Sequence, residues 1–228
     1  MSCLLKASGG LHARLRIGAV LLAAGEGRRM GGVAKALIRL QGVPLIRRQL
    51  IALSGAGVDE LVVVTGHARE AVEAQVQPFP VTLAHNDAYR DGQQGSVRAG
   101  LAALSGPFDA VLVVLADQPL LGEADLTEMI SAFKKRPAGH VVVPQVSADG
   151  QARRGNPVVL DETACGLILQ GDANFGCRQF IERHPELVHL HQTTNTRFIT
   201  DLDTLDDIER LAQRTGWKLE LPKLEAAA

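Results

Sequence analysis

Short runs of consecutive apolar residues alternate along the chain with segments in which apolar residues recur every three or four positions. The continuous runs predict strands buried on both faces of a sheet, at residues 17–23, 61–65, 80–84, 110–115 and 140–144. The periodic segments predict helices between them, at residues 44–53, 68–76, 95–104 and 124–133. This order predicts an α/β fold with a three-layer, mainly parallel sheet and right-handed connections.

The pattern becomes less regular after residue 145. Here the apolar positions predict three short strands and two helices, at 158–160, 187–191 and 198–202 and at 174–183 and 205–214. No internal repeat and no low-complexity linker divides the chain. We therefore predict a single domain over residues 17–214, composed of a first half (17–144) and a second half (145–214), with tails at 1–16 and 215–228.

Charge and cysteine content narrow the class of function. The 24 Lys and Arg residues nearly balance the 25 Asp and Glu residues, whereas a nucleic-acid groove or an anionic membrane surface would show a basic excess. Three widely spaced cysteines, Cys3, Cys165 and Cys177, argue against a disulfide framework and a zinc site. Cys165 and Cys177 are expected to be small buried hydrophobic side chains. Residues 1–16 lack the apolar core of a signal peptide. We expect a cytoplasmic protein with a small-molecule partner, without nucleic acid or membrane.

Residues that can carry chemistry follow the ends of several predicted strands. A glycine-rich loop follows the first strand, Asn86 follows the strand at 80–84, and Asp117 follows the strand at 110–115. Asp201 and Asp203 lie at the end of the strand predicted at 198–202. Ligands of open α/β sheets bind outside the carboxyl ends of the strands, so these side chains predict one binding site.

The loop after the first strand combines four glycines with three basic side chains, Gly25, Gly27, Gly31, Gly32, Arg28, Arg29 and Lys35. Glycine lets backbone N–H groups approach an anion closely, and the basic side chains add mobile positive charge. The loop lacks the G-K-[ST] ending of a Walker loop, and Met30 stands where a dinucleotide-binding fingerprint has its third glycine. We therefore predict phosphate binding by a different class of nucleotide site.

Residues 22–31 read LAAGEGRRMG and are followed by Lys35 and by LQGVPLI at 40–46. Further short motifs occur in a fixed order: Asn86, GSV at 95–97, DQP at 117–119, GNP at 155–157, GD at 171–172 and DLDT at 201–204. Together they resemble the nucleotidyltransferases that act on molybdenum cofactor, over about residues 17–214. The resemblance implies a Rossmann-like fold of the nucleotide-diphospho-sugar transferase (GT-A-like) type. It also implies a nucleotide-binding half at 17–144 and an acceptor-binding half at 145–214.

The same resemblance implies a reaction. The second alanine of LAAG, Ala24, and the DQP triplet are similar to the cytidylyl-transferring branch, whereas the guanylyl-transferring enzymes carry LAGG. The implied reaction is transfer of CMP from CTP to molybdenum cofactor with release of pyrophosphate. The chain departs from the family pattern at Ala116, which replaces a glycine, at residues 205–206, which replace Pro-Glu, and at 173–175, which are extra.

A triphosphate carries charge that Mg²⁺ neutralises while bound to one or two protein carboxylates. Asp117 is the expected first ligand, because a carboxylate at the tip of an apolar strand has little structural role. The second ligand is expected to be Asp201 or Asp203, which strand periodicity places on one face, with Asp201 preferred. Arg29 and Lys35 are expected to act with Asp117 in catalysis, by holding phosphate oxygens and stabilising the charge on departing pyrophosphate.

Nucleotide binding is expected from the loop and from the ends of the next strands, at Leu22, Ala23, Ala24, Gly25, Gly27, Arg29, Lys35, Thr65, Gly66, Asn86 and Ser96. Ser96 would serve equally well as only the cap of its helix, and Asp203 and Thr204 could simply cap the final helix. His67 is the one histidine expected near the nucleotide, whereas His189 and His191 are expected to be solvated or structural. No general base is required, because a phosphate monoester acceptor is largely dianionic at neutral pH.

Four alternatives remain open from the sequence. The chain could be a guanylyltransferase for the same cofactor, or a cytidylyltransferase for another phosphorylated acceptor such as methylerythritol phosphate. It could also be a non-catalytic chaperone that carries the cofactor to a molybdoenzyme, although the predicted metal-binding carboxylates favour catalysis. An NAD-dependent oxidoreductase is disfavoured by Met30. A molybdoenzyme or its maturation chaperone is the macromolecular partner that the resemblance allows.

Overall fold

The computed structural model describes residues 14–222. Cys3 and parts of both predicted tails, residues 1–13 and 223–228, lie outside this range. Seven helices are described, α1 to α7 in chain order: Leu45–Gly55, Arg69–Val76, Gln93–Ala102, Glu123–Lys135, Glu162–Gln170, Cys177–Arg183 and Leu205–Thr215. Eleven strands, β1 to β11, accompany them: Ile17–Leu22, Arg39–Leu40, Val43–Pro44, Glu60–Thr65, Thr82–His85, Ala110–Leu115, Val141–Ala148, Gln151–Arg154, Val158–Leu160, Val188–Thr193 and Leu219–Glu220.

Seven strands form the path of a mainly parallel central sheet in the order β10-β7-β9-β6-β1-β4-β5, and β8 joins it by pairing with β7. The strands β6, β1, β4 and β5 are parallel to one another, and so are β7 and β10. The strand β9 runs antiparallel between β6 and β7. The predicted α/β architecture is therefore confirmed, and the carboxyl ends of β1, β4, β5 and β6 meet at one edge of the sheet.

Helices cover both faces of the sheet and bury alternate residues of its central strands on opposite faces. In β1, Ala19 and Leu21 belong to a core under α1, α2 and α4, whereas Val20 and Leu22 belong to a core under α3, α5 and α6. Strand side chains point alternately to the two faces, so a fully buried strand must be apolar at every position. This is why the continuous apolar runs predict central strands correctly.

A third, smaller core lies beside the sheet and holds the glycine-rich loop. It is composed of Met30, Val33, Ile38, Leu40, Leu45, Leu202 and Leu211. The short strands β2, β3 and β11 form a separate antiparallel sheet next to it, with β11 paired to β2. The fold thus continues past residue 214, where the sequence predicts a tail.

The strand predicted at 198–202 is wrong. Residues Thr196–Ile199 form a 3₁₀ turn, and residues 200–204 have no sheet partner within the described chain. The two apolar residues that suggested a strand serve different cores, since Phe198 packs into the core under α1 and α4 and Leu202 packs into the third core. Apolar residues that pack into two separate cores can therefore have the same spacing as the buried residues of a strand.

Two smaller differences concern the second half. The helix α6 begins at Cys177 and not at 174, because Asp172 closes a turn by accepting hydrogen bonds from the backbone N–H groups of Asn174 and Phe175 through its side chain and its carbonyl. The hairpin of β7 and β8 is absent from the prediction because all four residues of β8 are exposed.

Cys165 and Cys177 are partly buried beside the core under α3, α5 and α6. Burial raises the pKa of each thiol to about 12, so both remain protonated at neutral pH. Among the described residues, no helix is long and apolar enough to cross a bilayer.

Candidate active site

A cleft of about 290 Å³ opens at the carboxyl ends of β1 and β6. The glycine-rich loop and the residues after β6 form two of its walls, and the start of α3 forms a third. The residues that line it are Leu22, Ala23, Ala24, Gly25, Gly27, Arg28, Arg29, Lys35, Ala36, Tyr89, Gly92, Gln93, Ser96, Leu115, Ala116, Asp117 and Asp203. Its position agrees with the rule that ligands of open α/β sheets bind at this edge.

Glycines hold the loop in a shape that other residues cannot adopt. Gly27 has φ 61°, and a Cβ atom there would lie 2.1 Å from the carbonyl oxygen of Val33. The turn that follows ends at Gly31, which also has a positive φ of 68°. Between them, Met30 is buried in the third core and anchors the loop to the body of the protein. At Gly25, in contrast, a Cβ atom would meet no described atom, so a steric need for glycine there would come from a ligand.

Four charged side chains from three parts of the chain meet at the mouth of the cleft. The ammonium group of Lys35 lies 3.0 Å from Asp117 Oδ2 and 2.5 Å from Asp203 Oδ1. Arg29 Nη2 lies 2.7 Å from the other oxygen of Asp203. The Lys35 and Asp117 side chains are only 17% and 22% exposed, whereas Arg29 is 68% exposed. The inner pair, Lys35 and Asp117, is therefore largely shielded from water, whereas the outer pair, Arg29 and Asp203, is more accessible to it.

These contacts move the pKa values in different directions. Burial raises the pKa of Asp117, and the nearby ammonium group of Lys35 offsets only part of this effect. The pKa of Asp201 is also raised, because its carboxyl group is partly desolvated and the neighbouring carboxylates add to this effect. Burial would raise the pKa of Asp203 as well, but Lys35 and Arg29 outweigh it and lower the pKa. Burial disfavours the charged form of Lys35, yet the two carboxylates outweigh it and raise its pKa.

The carboxylates are compatible with a hard divalent cation. Asp117 Oδ1 is buried and has no hydrogen-bond partner among residues 14–222, so this oxygen has free lone pairs that a cation could use. Carboxylate oxygens are the ligands that Mg²⁺ prefers, and Mg²⁺ needs only one or two of them when phosphates and waters complete its shell. Within the described range, no three His, Cys, Asp or Glu side chains are grouped so as to hold a metal alone. The site fits a metal that arrives with a phosphate ligand.

The structure distinguishes the two late aspartates by position. Asp203 lines the cleft and contacts both Lys35 and Arg29. Asp201 is exposed and does not line the cleft, and strand periodicity cannot place it because no strand is present there. Leu202, between them, donates a backbone hydrogen bond of 3.1 Å to the carbonyl of Asp117. This bond and the burial of Leu202 bring the acidic segment to the end of β6.

Most of the predicted nucleotide-binding residues line the cleft, and three lie behind its wall. Thr65 is fully buried and its hydroxyl contacts Glu73 and His85. Gly66 packs against Ala24, where a Cβ atom would lie 2.9 Å from the alanine methyl group. The remaining residue of this group is Asn86.

Asn86 lies behind Ser96 and orients it. The amide of Asn86 donates a 2.9 Å hydrogen bond to Ser96 Oγ, and the serine side chain lines the cleft. Both residues are buried. This bond connects the end of β5 with the first turn of α3.

Several lining residues were not predicted from the sequence. Tyr89, Gly92 and Gln93 form the third wall. Tyr89 and Gly92 lie on the irregular connection between β5 and α3, and Gln93 is the first residue of α3, so apolar periodicity carries no information about them. Proximity to Asn86 in the chain is the only sequence signal that could have included them. His67 contacts the loop, with Nε2 3.0 Å from the carbonyl oxygen of Gly32.

Two further side chains can be compared with what the sequence predicts. Arg28, one of the three basic side chains of the loop, is exposed and is paired with Glu26 at 2.8 Å. His191 Nε2 lies 2.9 Å from Glu128 Oε1, on the sheet edge away from β1, in agreement with a structural role.

Comparison with known proteins gives a family. Residues 19–188 match the family model described as the MobA-like NTP transferase domain. Nicotine blue oxidoreductase of Paenarthrobacter nicotinovorans is 30% identical over 195 residues, which cover 84% of this chain and 94% of that protein.

Solved structures give the same fold. The protein Rv0371c of Mycobacterium tuberculosis H37Rv superposes with a TM-score of 0.71 at 27% identity, covering 87% of this chain and 98% of that one. A nucleotidyl transferase from a Methanothermobacter species superposes with a TM-score of 0.69 at 25% identity, covering 87% and 97%. Rv0371c has also been solved as a complex with manganese.

Proposed function

We propose, because this chain belongs to the MobA-like NTP transferase family, that it transfers CMP from CTP to molybdenum cofactor and releases pyrophosphate. Nucleotidyl transfer is the activity of the family. The choice of CTP and of molybdenum cofactor is our own and comes from the sequence resemblance. We also propose that the protein acts in the cytoplasm and delivers its product to a molybdoenzyme or to the maturation chaperone of one.

One observation carries the proposal: two cations and two carboxylates are paired with one another at the mouth of the cleft, beside a glycine-rich loop. Bound triphosphate would attract Arg29 and Lys35 to its oxygens, because a phosphate carries more negative charge than a carboxylate. The carboxylates of Asp117 and Asp203 would then be free for a divalent cation. The cluster therefore contains the groups that nucleotidyl transfer needs, already within a few ångströms of one another.

Asp117, with Asp203 or Asp201, would hold Mg²⁺. The metal would supply neutralisation of the triphosphate charge and orientation of its oxygens. Arg29 and Lys35 would hold phosphate oxygens and stabilise the charge that develops on departing pyrophosphate. The backbone of the loop around Gly25 would complete the phosphate site.

The reaction needs no general base and no covalent enzyme intermediate. An oxygen of the acceptor phosphate would attack the α-phosphorus of CTP, a new phosphoanhydride bond would form, and the bond to the β-phosphate would break as pyrophosphate leaves. The attacking phosphate is already largely dianionic at neutral pH. The protein therefore contributes position and charge, which is sufficient for phosphoryl and nucleotidyl transfer.

The base would lie against the wall formed by Ala23, Ala24 and Ser96. Gly66 packs directly behind Ala24, and Asn86 fixes the hydroxyl of Ser96, so this wall is rigid. A rigid wall with a single oriented hydroxyl supports selection between bases. Cytosine is proposed in preference to guanine on the resemblance of Ala24 to the cytidylyl-transferring branch.

The proposal is tested by pyrophosphate release. The protein is incubated with Mg²⁺, molybdenum cofactor and each of the four ribonucleoside triphosphates in turn. Release with CTP alone would support the proposal. Preference for GTP would overturn the choice of base, release with methylerythritol phosphate but not with molybdenum cofactor would overturn the acceptor, and binding of the cofactor without release from any triphosphate would favour a carrier.

The similarity to nicotine blue oxidoreductase favours an oxidoreductase as a second candidate. Met30 argues against a dinucleotide-binding fingerprint, because its side chain is buried in the third core at the position where that fingerprint needs glycine. Parallel assays with NADH and NADPH, with nicotine blue as the electron acceptor, test this candidate. Oxidation of either cofactor without pyrophosphate release in the first assay would replace the nucleotidyltransferase proposal.

A further inference from the structure

We propose that Gln118 is a positioning residue for the metal-binding carboxylates, and that it acts by fixing the segment that carries Asp201 and Asp203 to the end of β6. This inference rests on the proposed function. Gln118 does not line the cleft, so it cannot contact the nucleotide there. Its side chain points into the protein, toward the segment at residues 196–202.

The hydrogen bonds of Gln118 are directed at two other parts of the chain. Its amide Nε2 donates a 3.1 Å hydrogen bond to the carbonyl of Phe198. Its own backbone carbonyl accepts a 2.6 Å hydrogen bond from Nε2 of Gln49 on α1. Gln118 is 1% exposed and Gln49 is fully buried. A row of two buried amides thus ties α1, the end of β6 and the 196–202 segment together.

This row works together with a second bond next to it. The N–H of Leu202 donates to the carbonyl of Asp117, so consecutive residues at the end of β6 hold the segment at two points, Phe198 and Leu202. Asp201 and Asp203 lie on either side of the second point. Removing the first point would leave the acidic residues attached to β6 by one backbone bond and by the packing of Leu202.

The carbonyl of Phe198 has a second partner besides Gln118. It accepts a second hydrogen bond, 2.9 Å long, from the N–H of Asn156. Gly155 lies against the same carbonyl, where a Cβ atom would be 2.3 Å from the oxygen. Movement of Phe198 would therefore disturb the acidic segment and the start of β9 together.

The unmet hydrogen-bonding capacity of the amides indicates a role other than stability. Oε1 of Gln118 and Oε1 of Gln49 are buried and have no partner among the residues that the structure describes. A buried unpaired acceptor is destabilising, and an apolar side chain of similar size would remove this cost. The carbonyl of Phe198 would keep its bond from Asn156. Gln118→Leu, which loses the bond to Phe198 but also this cost, should therefore fold about as well as the wild type but position the carboxylates less well.

The test compares Gln118→Leu and Gln118→Met with the wild type and with Arg136→Met. Arg136 donates to the carbonyls of Phe133 and Gly139 at the opposite edge of the sheet, so Arg136→Met removes a similar side-chain-to-backbone tie far from the cleft. We measure the melting temperature, kcat and KM for CTP, and the affinity for Mn²⁺ by electron paramagnetic resonance with a non-hydrolysable CTP analogue bound.

Both Gln118 variants should melt no more than about 3 °C below the wild type. Their kcat and their Mn²⁺ affinity should each fall about 10- to 100-fold, as for other residues that orient metal ligands, with KM for CTP changed less than about 3-fold. Arg136→Met should keep both values. The inference would be overturned if kcat and Mn²⁺ affinity were unchanged in the Gln118 variants, or if both variants were unfolded. It would also be overturned if the affinity for CTP fell as much as the affinity for Mn²⁺. Weaker Mn²⁺ binding in the variants of a protein that releases no pyrophosphate from any triphosphate would instead retain the positioning role and reject the proposed reaction.

Discussion

Asp117 and Asp203 hydrogen-bond the same ammonium group, but the backbones that carry them are held in different ways. Asp117 lies two residues after the last residue of β6, which is paired with β1 on one side and β9 on the other. Asp203 lies in an irregular segment that is held by a backbone bond from Leu202 to Asp117, by the packing of Leu202 and by a 3.0 Å bond from its own N–H to Asp207. One carboxylate has its position set by the sheet, and the other by a few side chains.

This difference suggests a division of labour between the two carboxylates. Asp117 is rigidly held and largely shielded from water, so it is suited to serve as a fixed metal ligand whose geometry does not depend on substrate. The more exposed Asp203, which contacts two cations, is suited to a group that changes partners when a triphosphate binds. If the two carboxylates divide the work in this way, substitutions at the end of β6 and in the 200–204 segment should lower turnover by different amounts.

The largest effect is expected at the rigid carboxylate. Asp117→Ala should lower turnover by at least about 10³-fold, because charge on the triphosphate would lose its innermost counter-ligand. The protein should stay folded, because Oδ1 of Asp117 has no partner among residues 14–222 and Lys35, which loses Oδ2, keeps its contact with Asp203. Pyrophosphate release and thermal unfolding are the two measurements.

The matched control is Asp109→Ala, which lies just before the opposite end of β6. Asp109 accepts a 2.7 Å hydrogen bond from the N–H of Arg16, so its loss should lower stability slightly and leave turnover unchanged. Near-normal turnover in Asp117→Ala would mean that Asp117 is not a fixed metal ligand, and the proposed metal site would be wrong.

A smaller effect should separate Asp203 from Asp201. Asp203→Ala should lower turnover about 10²-fold, because it removes a cleft-lining carboxylate and releases Lys35 and Arg29 from their shared partner. Asp201→Ala should change turnover less than about 10-fold. Titration of each variant with Mn²⁺ in the presence of CTP shows whether the loss follows the affinity for the metal.

The opposite order of effects, with Asp201 more important than Asp203, would change the interpretation of the acidic segment. A larger loss for Asp201→Ala would mean that the acidic segment rotates when the nucleotide and the metal bind, so that Asp201 replaces Asp203 in the cleft. The irregular backbone at 200–204 would then be a moving part, and Asp117 the fixed point about which it moves.

The two regions also differ in how far the sequence predicts them. The loop at residues 22–31 and Asp117 follow strands that are apolar at every position, so local patterns are sufficient to find both. The 198–202 segment misleads the same reasoning, because Phe198 and Leu202 pack into two different cores. Contacts such as Lys35 with Asp203, or Gln118 with Phe198, join residues far apart in the chain, and no periodicity reports them.

The smallest effect is expected where the acidic segment enters α7. Thr204 and Asp207 form a capping box, and Asp207 also accepts hydrogen bonds from the N–H of Asp203 and from Arg210. Burial would raise the pKa of Asp207, but the bonds from Thr204, Arg210 and the backbone outweigh it and lower the pKa to about 2. A carboxylate with a lowered pKa stabilises the fold above its unfolded-state pKa, near 4, and this contribution is lost as the pH falls toward 2.

Asp207→Asn should therefore reduce the free energy of unfolding by about 1–2 kcal/mol at pH 7, and the difference from wild type should shrink as urea titrations are repeated between pH 4 and pH 3. Asp206→Asn is the control, because Asp206 is an exposed acid in the same helical turn and should change stability by less than about 0.5 kcal/mol at any pH. A pH-independent difference would assign the effect to packing. In Asp207→Asn the N–H of Asp203 would lose its charged acceptor, so turnover should fall a few-fold. Asp117 should keep its position, because the sheet holds it. The variant would thus affect the carboxylate that side chains hold and spare the one that the sheet holds.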